Sequence, residues 1–315
     1  MEYYCSTKFT DLEVSVQSRL LYNCCKAYPE RVDLDWLEAN PGRLFHTDTT
    51  KISDPQAPLS TLQISLSTDC NLTCMYCSPQ WSSSWHRDID NNGEYLLDGV
   101  PVKQNDKWST LWAKMKQKSR GMESRFFQLL LREIKLSTGL QKVTLLGGEP
   151  LLNNQLDQVL EHVHGKKINI VTGLGVSHAR LRQILQIIKG MDVSFSISAE
   201  ATGPLFELIR HGVTWSDFRE RVSMIEENGN SIQFISTISN LSVLGFNDFY
   251  DLYSKDHDII LNTLSDTAWM MPHVLDHRSK NDFIDSTQNK HNLPEFNTIF
   301  DMIDKTPEDK DRINT

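Results

Sequence analysis

Long apolar runs are missing from these 315 residues. None approaches the ~20 residues that cross a bilayer as a helix. The N-terminus, Met1-Glu2-Tyr3-Tyr4, also lacks a signal-peptide pattern, so a cytoplasmic protein is expected. A basic excess is missing too. With 32 Lys+Arg against 41 Asp+Glu the formal net charge is −9, which argues against a surface that coats nucleic acid. Beyond residue 77 there is no cysteine. All six thiols lie before that point, at Cys5, Cys24, Cys25, Cys70, Cys74 and Cys77. In a reducing compartment that clustering favours metal binding over disulfides. The histidines, His86, His178 and His211 among them, show no metal-ligand spacing and read as surface residues.

What the chain does have is ordinary for a globular protein: 39% hydrophobic residues, enough for a sizeable core, and 23% charged ones. Against that background one stretch stands apart. Leu62-Gln63-Ile64-Ser65-Leu66 alternates like a strand and leads into Ser67-Thr68-Asp69-Cys70-Asn71-Leu72-Thr73-Cys74-Met75-Tyr76-Cys77. Three thiols fall within eight residues, spaced Cys-x3-Cys-x2-Cys. Thiolates so close on a loop can turn toward one centre, and iron–sulfur clusters are held by cysteines at short spacings. Zinc knots are the alternative, but they more often use paired Cys-x2-4-Cys units, and no second pair follows downstream. A [4Fe–4S] cubane held by three cysteines leaves one iron without a protein ligand.

The spacing, the aromatic Tyr76 before the third cysteine and the strand ahead resemble the radical S-adenosylmethionine (radical SAM) enzymes. The resemblance implies a [4Fe–4S] cluster at Cys70, Cys74 and Cys77, with S-adenosylmethionine (SAM) chelating the open iron. It further implies reductive cleavage of SAM to a 5′-deoxyadenosyl radical, hydrogen abstraction from a substrate, and an electron donor such as flavodoxin or ferredoxin.

Residues 1–59 read as a separate N-terminal module. Leu12–Val16 and Leu20–Tyr22 suit a hairpin, and a short helix over Asp33–Ala39 is capped by Asp33 and stopped by Asn40-Pro41-Gly42. A cysteine, a hairpin and Cys24-Cys25 resemble the twitch type of auxiliary-cluster module, which implies a second iron–sulfur site at Cys5, Cys24 and Cys25; buried free thiols are the alternative. Residues 78–122 form an insertion rich in Ser, Asn and Trp, whose start, Ser82-Ser83-Ser84-Trp85, resembles the stretch after the cluster loop in twitch-bearing relatives. Its basic second half, Lys103 to Arg120, reads either as a substrate-facing lid or as a solvated helical face.

From residue 123 the pattern is regular. Helices over 123–137, 154–164, 177–189, 215–228 and 246–253 alternate with strands over 142–146, 167–172, 192–198, 231–239 and 258–264. With Leu62–Leu66 that makes six βα units and a parallel sheet. Periodicity alone leaves a flat doubly wound sheet open; the resemblance implies a partial (β/α)6 barrel over residues 60–265, with 266–315 as a C-terminal extension.

Gly147-Gly148-Glu149-Pro150 ends the second of these strands, the edge where α/β barrels place their chemistry. Its match in the family contacts the SAM amino group, mostly through backbone oxygens. The fourth strand ends Ser198-Ala199-Glu200, followed by Arg210, where the family often has Ser-x-Asp and a nearby arginine. The resemblance therefore implies SAM contacts for Tyr76, Ser198, Glu200 and Arg210. A surface ion pair is the alternative for Arg210. Thr172 and Thr237 sit at corresponding strand ends, and the resemblance implies cofactor contacts for them too. The substrate class implied is a peptide or small metabolite; a non-catalytic scaffold stapled by its cluster is the competing reading.

Overall fold

The computed structural model describes residues 11–15, 20–22, 30–31, 33–41, 60–79, 81–97, 99–103, 124–264, 268–291, 296–297, 300 and 303. Cys5, Cys24, Cys25 and the basic run from Lys107 to Arg120 lie outside them.

The chain begins with strands β1 (Asp11–Ser15), β2 (Leu20–Tyr22) and β3 (Glu30–Arg31). β1 and β2 pair antiparallel, giving the hairpin expected of this segment. Helix α1 (Leu34–Ala39) follows, and the Asp33 carboxylate accepts from the amides of Asp35 and Trp36 at 3.0 and 3.1 Å. Such a cap is worth about 1 kcal/mol. Next come β4 (Thr61–Ser65), α2 (Ser83–Asn92) and a hairpin of β5 (Tyr95–Leu97) with β6 (Val100–Lys103).

The alternating part then runs α3 (residues 124–136), β7 (Lys142–Leu146), α4 (Leu156–His162), β8 (Lys167–Thr172), α5 (His178–Ile187) and β9 (Val193–Ser198). It continues with α6 (Gly203–Ile209), α7 (Trp215–Glu227), β10 (Ser231–Ile238), α8 (Phe246–Tyr253), β11 (Asp258–Thr263) and α9 (His277–His291). The strand order is β11-β10-β9-β8-β7-β4-β1-β2-β3. Six of these, β4 and β7 to β11, form the parallel sheet expected from the βα alternation. β1 pairs parallel with β4, so the N-terminal hairpin extends that sheet. No helix among the described residues is long and apolar enough to cross a membrane.

Two compact units divide the chain. The first holds Met1–Cys70, Asp106–Thr172 and Val176–Phe195. Its core is one face of β4, β7 and β8, with Leu62, Ile64, Val143, Leu145 and Ile170 fully buried, together with Phe126, Leu130 and Ile134 of α3. Each such side chain contributes about 1.5–3 kcal/mol. The opposite face is polar: the Ser194 hydroxyl donates to Asn169 Oδ1 at 3.2 Å.

The second unit holds Asn71–Asn105, Gly173–Gly175 and Ser196–Thr315. Its core is aromatic, with the rings of Phe206 and Phe218 4.5 Å apart and those of Phe234 and Tyr253 4.4 Å apart. The C-terminal extension packs here. Asn247 of α8 meets Ser286 and Thr287 of α9, and Phe246 lies 5.6 Å from Phe296.

Candidate cluster and cofactor site

In the first unit, β4 delivers the chain to Ser67-Thr68-Asp69, and β7 delivers Gly147-Gly148 alongside it. Gly148 N–H donates to the Ser67 carbonyl at 2.8 Å and Glu149 N–H to the Asp69 carbonyl at 2.7 Å. The approach requires both glycines. A Cβ on Gly147, where φ is +146°, would fall 2.6 Å from Ser67 O; one on Gly148 would fall 2.5 Å from Asp69 O. While the N–H groups face the cysteine loop, the carbonyls of Gly147 and Gly148 have no hydrogen-bond partner among the described residues.

Glu149 turns inward and is 1% exposed. Its Oε1 accepts from Thr172 Oγ1 at 2.7 Å and from Leu151 N at 3.2 Å, which caps the 3-10 turn Pro150–Leu152. Thr172, expected as a cofactor contact at a strand end, gives its hydroxyl hydrogen to the buried carboxylate. Asn153 donates to Ser67 Oγ at 3.1 Å, and the same oxygen accepts from Asp69 N. Arg180 grips Asp157 with two nitrogens and also reaches the carbonyls of Leu151 and Asn153.

In the second unit, residues 71–77 are clamped by backbone. Thr73 N–H donates to His211 O and Met75 N–H to Ile209 O, both at 2.9 Å. Gly175 and Gly212 lie so close to Asn71 and Leu72 that a Cβ would meet Asn71 Oδ1 at 2.5 Å and Asn71 O at 2.8 Å respectively. The Ser82 hydroxyl donates to Leu72 O at 2.7 Å and caps α2, whose buried Trp85 sends its indole N–H to Cys74 O at 2.9 Å. Ser82-Ser83-Ser84-Trp85 therefore works as a helix start that anchors the loop.

Beside Cys74 sits a charged cluster. The Tyr76 hydroxyl donates to Glu200 Oε1 at 3.1 Å, and Arg210 Nη2 donates to Glu200 Oε2 at 2.8 Å. Arg210 Cζ stands 5.1 Å over the Tyr76 ring, and its Nη1 lies 3.9 Å from Cys74 Sγ. Thr237 hydrogen-bonds the phenol oxygen. Glu200 is fully buried and Arg210 5% exposed, so the pair is not the surface ion pair considered from sequence. Burial pushes the Tyr76 phenol and the Cys74 thiol above their ordinary values, with Arg210 opposing both shifts. For Arg210 burial pulls downward, but Glu200, Tyr76 and Cys74 hold the guanidinium well above its usual value. Ser198 ends β9 half-buried, its hydroxyl without a partner among the described residues.

The donor set suits a soft metal centre. Cys70 and Cys74 are buried, Cys77 is half-buried, and none of the three forms a disulfide. Thiols are the ligands that iron–sulfur clusters take. The Radical SAM superfamily model matches residues 64–253, a span that contains these cysteines, the Gly-Gly-Glu-Pro turn and the Arg210 cluster.

The chain belongs to the radical SAM superfamily. Family membership implies a [4Fe–4S] cluster and SAM, and the residues above fit both. Among curated relatives of this radical SAM protein, a GTP 3′,8-cyclase of Sulfurovum sp. (strain NBC37-1) is 23% identical over 233 residues, covering 74% of this chain and 56% of that protein. A probable GTP 3′,8-cyclase of Methanococcus aeolicus is 23% identical over 218 residues, 65% of this chain and 59% of that one. The match thus spans little more than half the length of these relatives. Among solved structures, Streptococcus suis SuiB bound to S-adenosylmethionine has a TM-score of 0.45 at 14% identity, covering 89% of this chain and 69% of that one.

Sequence reasoning missed Asn153 and assigned no contact to Ser82, Trp85 or His211, the first two noted only as part of a resembling stretch and the last as a surface residue. Ser82 carried a readable signal, a serine at the start of a helical segment. Trp85 acts through the carbonyl of Cys74, Asn153 through the hydroxyl of Ser67 and His211 through Thr73, partners that spacing does not reveal.

Proposed function

We propose that the protein is an enzyme that reductively cleaves SAM at a [4Fe–4S] cluster held by Cys70, Cys74 and Cys77, and then removes a hydrogen atom from a peptide or small metabolite. The observation that carries this reading is the pairing of the loop leading to Cys70 with Gly148 and Glu149, at 2.8 and 2.7 Å. It leaves the carbonyls of Gly147 and Gly148, which have no partner among the described residues, to accept from an ammonium group.

When bound, the cluster supplies the electron and SAM the 5′-deoxyadenosyl radical; the protein's part is binding, orientation and electrostatics. The carbonyls of Gly147 and Gly148 would accept the SAM amino group. Glu149 and Thr172 lock the turn that presents them, with Pro150 fixing its φ. Ser198 offers a hydroxyl at a strand end, and Tyr76 and Thr237 line the Arg210 side. Residues 1–59 would form the auxiliary module, carrying a second cluster at Cys5, Cys24 and Cys25. Flavodoxin or ferredoxin would supply the electron. GTP, the nucleotide in the relatives' names, is the first small metabolite to try.

The test is anaerobic reconstitution with iron and sulfide, then dithionite and SAM, with and without candidate substrate. Formation of 5′-deoxyadenosine is expected. A fully loaded protein that forms none under any of these conditions would favour the non-catalytic scaffold. One observation leans that way: both carboxylate oxygens of Glu200, expected to reach SAM, are held by the protein itself.

A further inference from the structure

Among the described residues of the second unit, Arg210 is the one buried arginine whose guanidinium stands beside a cysteine of the three-thiol loop. Three contacts hold it in place. Its own amide donates to Phe206 O at 2.7 Å, closing α6. Nη2 is taken by Glu200 Oε2 at 2.8 Å, and the guanidinium carbon lies 5.1 Å over the Tyr76 ring. That leaves Nη1 turned toward Cys74 Sγ, 3.9 Å away. Glu200 is itself pinned, since its other oxygen accepts from Tyr76. The planar fork of arginine reaches a carboxylate and a sulfur at once, which a lysine ammonium does not.

Cluster potentials depend on net charge, on hydrogen bonds to the sulfurs and on solvent exposure. All three operate at this position. The guanidinium stays protonated, its N–H points at the sulfur, and the 5% exposure of Arg210 keeps water from screening the interaction. A donor and a positive charge stabilise the reduced cluster, which carries one more negative charge, over the oxidised one.

We infer that Arg210, aimed by Glu200 and Tyr76, sets the reduction potential of the cluster through Cys74, in addition to any contact with SAM. The inference rests on the reading of Cys74 as a cluster ligand. It makes Arg210 a positioning and tuning residue whose effect is present without SAM.

The test is a redox titration of the anaerobically reconstituted full chain without SAM, following the EPR signal of the reduced cluster at controlled potential. Iron per chain is measured on each sample. Arg210→Gln should lower the reduced-to-oxidised ratio at a fixed potential about tenfold, equivalent to about 59 mV for one electron. Glu200→Gln, which keeps the donor and removes the compensating negative charge, should move the ratio the other way. An Arg210→Gln protein with wild-type iron and a wild-type ratio overturns the inference. So does one in which SAM binding weakens while the SAM-free ratio stays put, since Arg210 would then serve SAM alone. Should Arg210→Gln fail to hold iron, Glu200→Gln decides, and an unchanged ratio there also overturns it. Wild-type protein that takes up no iron would instead sink the cluster reading itself.

Discussion

Gly148→Ala isolates close approach from backbone strain. Gly148 is not in the left-handed region, so alanine meets no φ penalty there; the whole effect comes from crowding. The added Cβ would lie 2.5 Å from Asp69 O and 2.7 Å from the carbonyl carbon and oxygen of Thr68, all backbone atoms that no rotamer change can move. Ordinary contact begins at 3.4 Å, so the two segments must separate by about 0.9 Å. The bonds Gly148 N–H to Ser67 O and Glu149 N–H to Asp69 O, now 2.8 and 2.7 Å, would then pass beyond normal hydrogen-bonding distance. Two such bonds at about 1 kcal/mol each, with the strain typical of overpacking, amount to a loss of about 2–4 kcal/mol. Because the displaced segment runs straight into Cys70, cluster retention should fall with it. Urea unfolding and iron per chain after anaerobic reconstitution measure the two effects. Gly165→Ala is the control: φ there is +83° and nothing lies within 4 Å, so stability drops by about 1–2 kcal/mol with iron unchanged. A Gly148→Ala protein within about 0.5 kcal/mol of wild type, holding full iron, would refute the argument from close packing.

Thr172→Val removes the hydroxyl that donates to the buried Glu149 carboxylate at 2.7 Å, and should cost about 1–3 kcal/mol in thermal unfolding. An unchanged midpoint would mean that Thr172 does not hold that carboxylate. Trp85→Phe strips the donor from Cys74 O while keeping most of the buried ring; a loss of about 1–3 kcal/mol and faster iron release to a chelator are expected, and release at the wild-type rate would count against the anchoring role. Hydrogen bonds from Ser279, its backbone amide foremost, hold the Asp276 carboxyl below its ordinary value. A depressed carboxyl stabilises the fold above its unfolded value of about 3.9 and loses that contribution as pH falls through the folded one. The urea midpoints of wild type and Asp276→Ala should therefore differ at pH 7 and converge on acidification; a gap undiminished in strong acid would contradict this. Finally, replacing Cys70, Cys74 and Cys77 together by alanine should leave residual iron–sulfur absorbance from Cys5, Cys24 and Cys25. Residual zinc would point to a structural knot there.

The alternating elements were legible because each carries a period that its environment enforces. Lys142–Leu146 and Lys167–Thr172 match their expected strands at both ends, since Val143, Leu145, Ile168 and Ile170 bury one face and polar turns bound them. Helix ends drifted by one or two residues, as at Leu156–His162 against an expected 154–164, where no side-chain cap fixes the boundary. Several elements went unread, for different reasons. Gly203–Ile209 is too short, and opens with Gly-Pro, to show a period. The hairpin of β5 and β6 has an exposed first strand with no buried face to read. His277–His291 is polar over most of its length and docks through Asn247 and a few aromatic rings, contacts that depend on partners about 40 residues away. Of the site, the residues with a family pattern could be named in advance, but what each one touches could not.

Glu200 makes the point most sharply. From sequence it is a departure, a glutamate where the family often has aspartate. Fully buried, the side chain spans from the Tyr76 hydroxyl to the Arg210 guanidinium, at 3.1 and 2.8 Å. An aspartate rooted at the same Cα falls short of one of the two, and whichever is dropped is left buried without its partner, a cost of about 1–3 kcal/mol for a polar group and more for a charge. The altered position and the arginine after it therefore stand or fall together. Glu200 places both its carboxylate oxygens on protein groups and holds a cation beside Cys74.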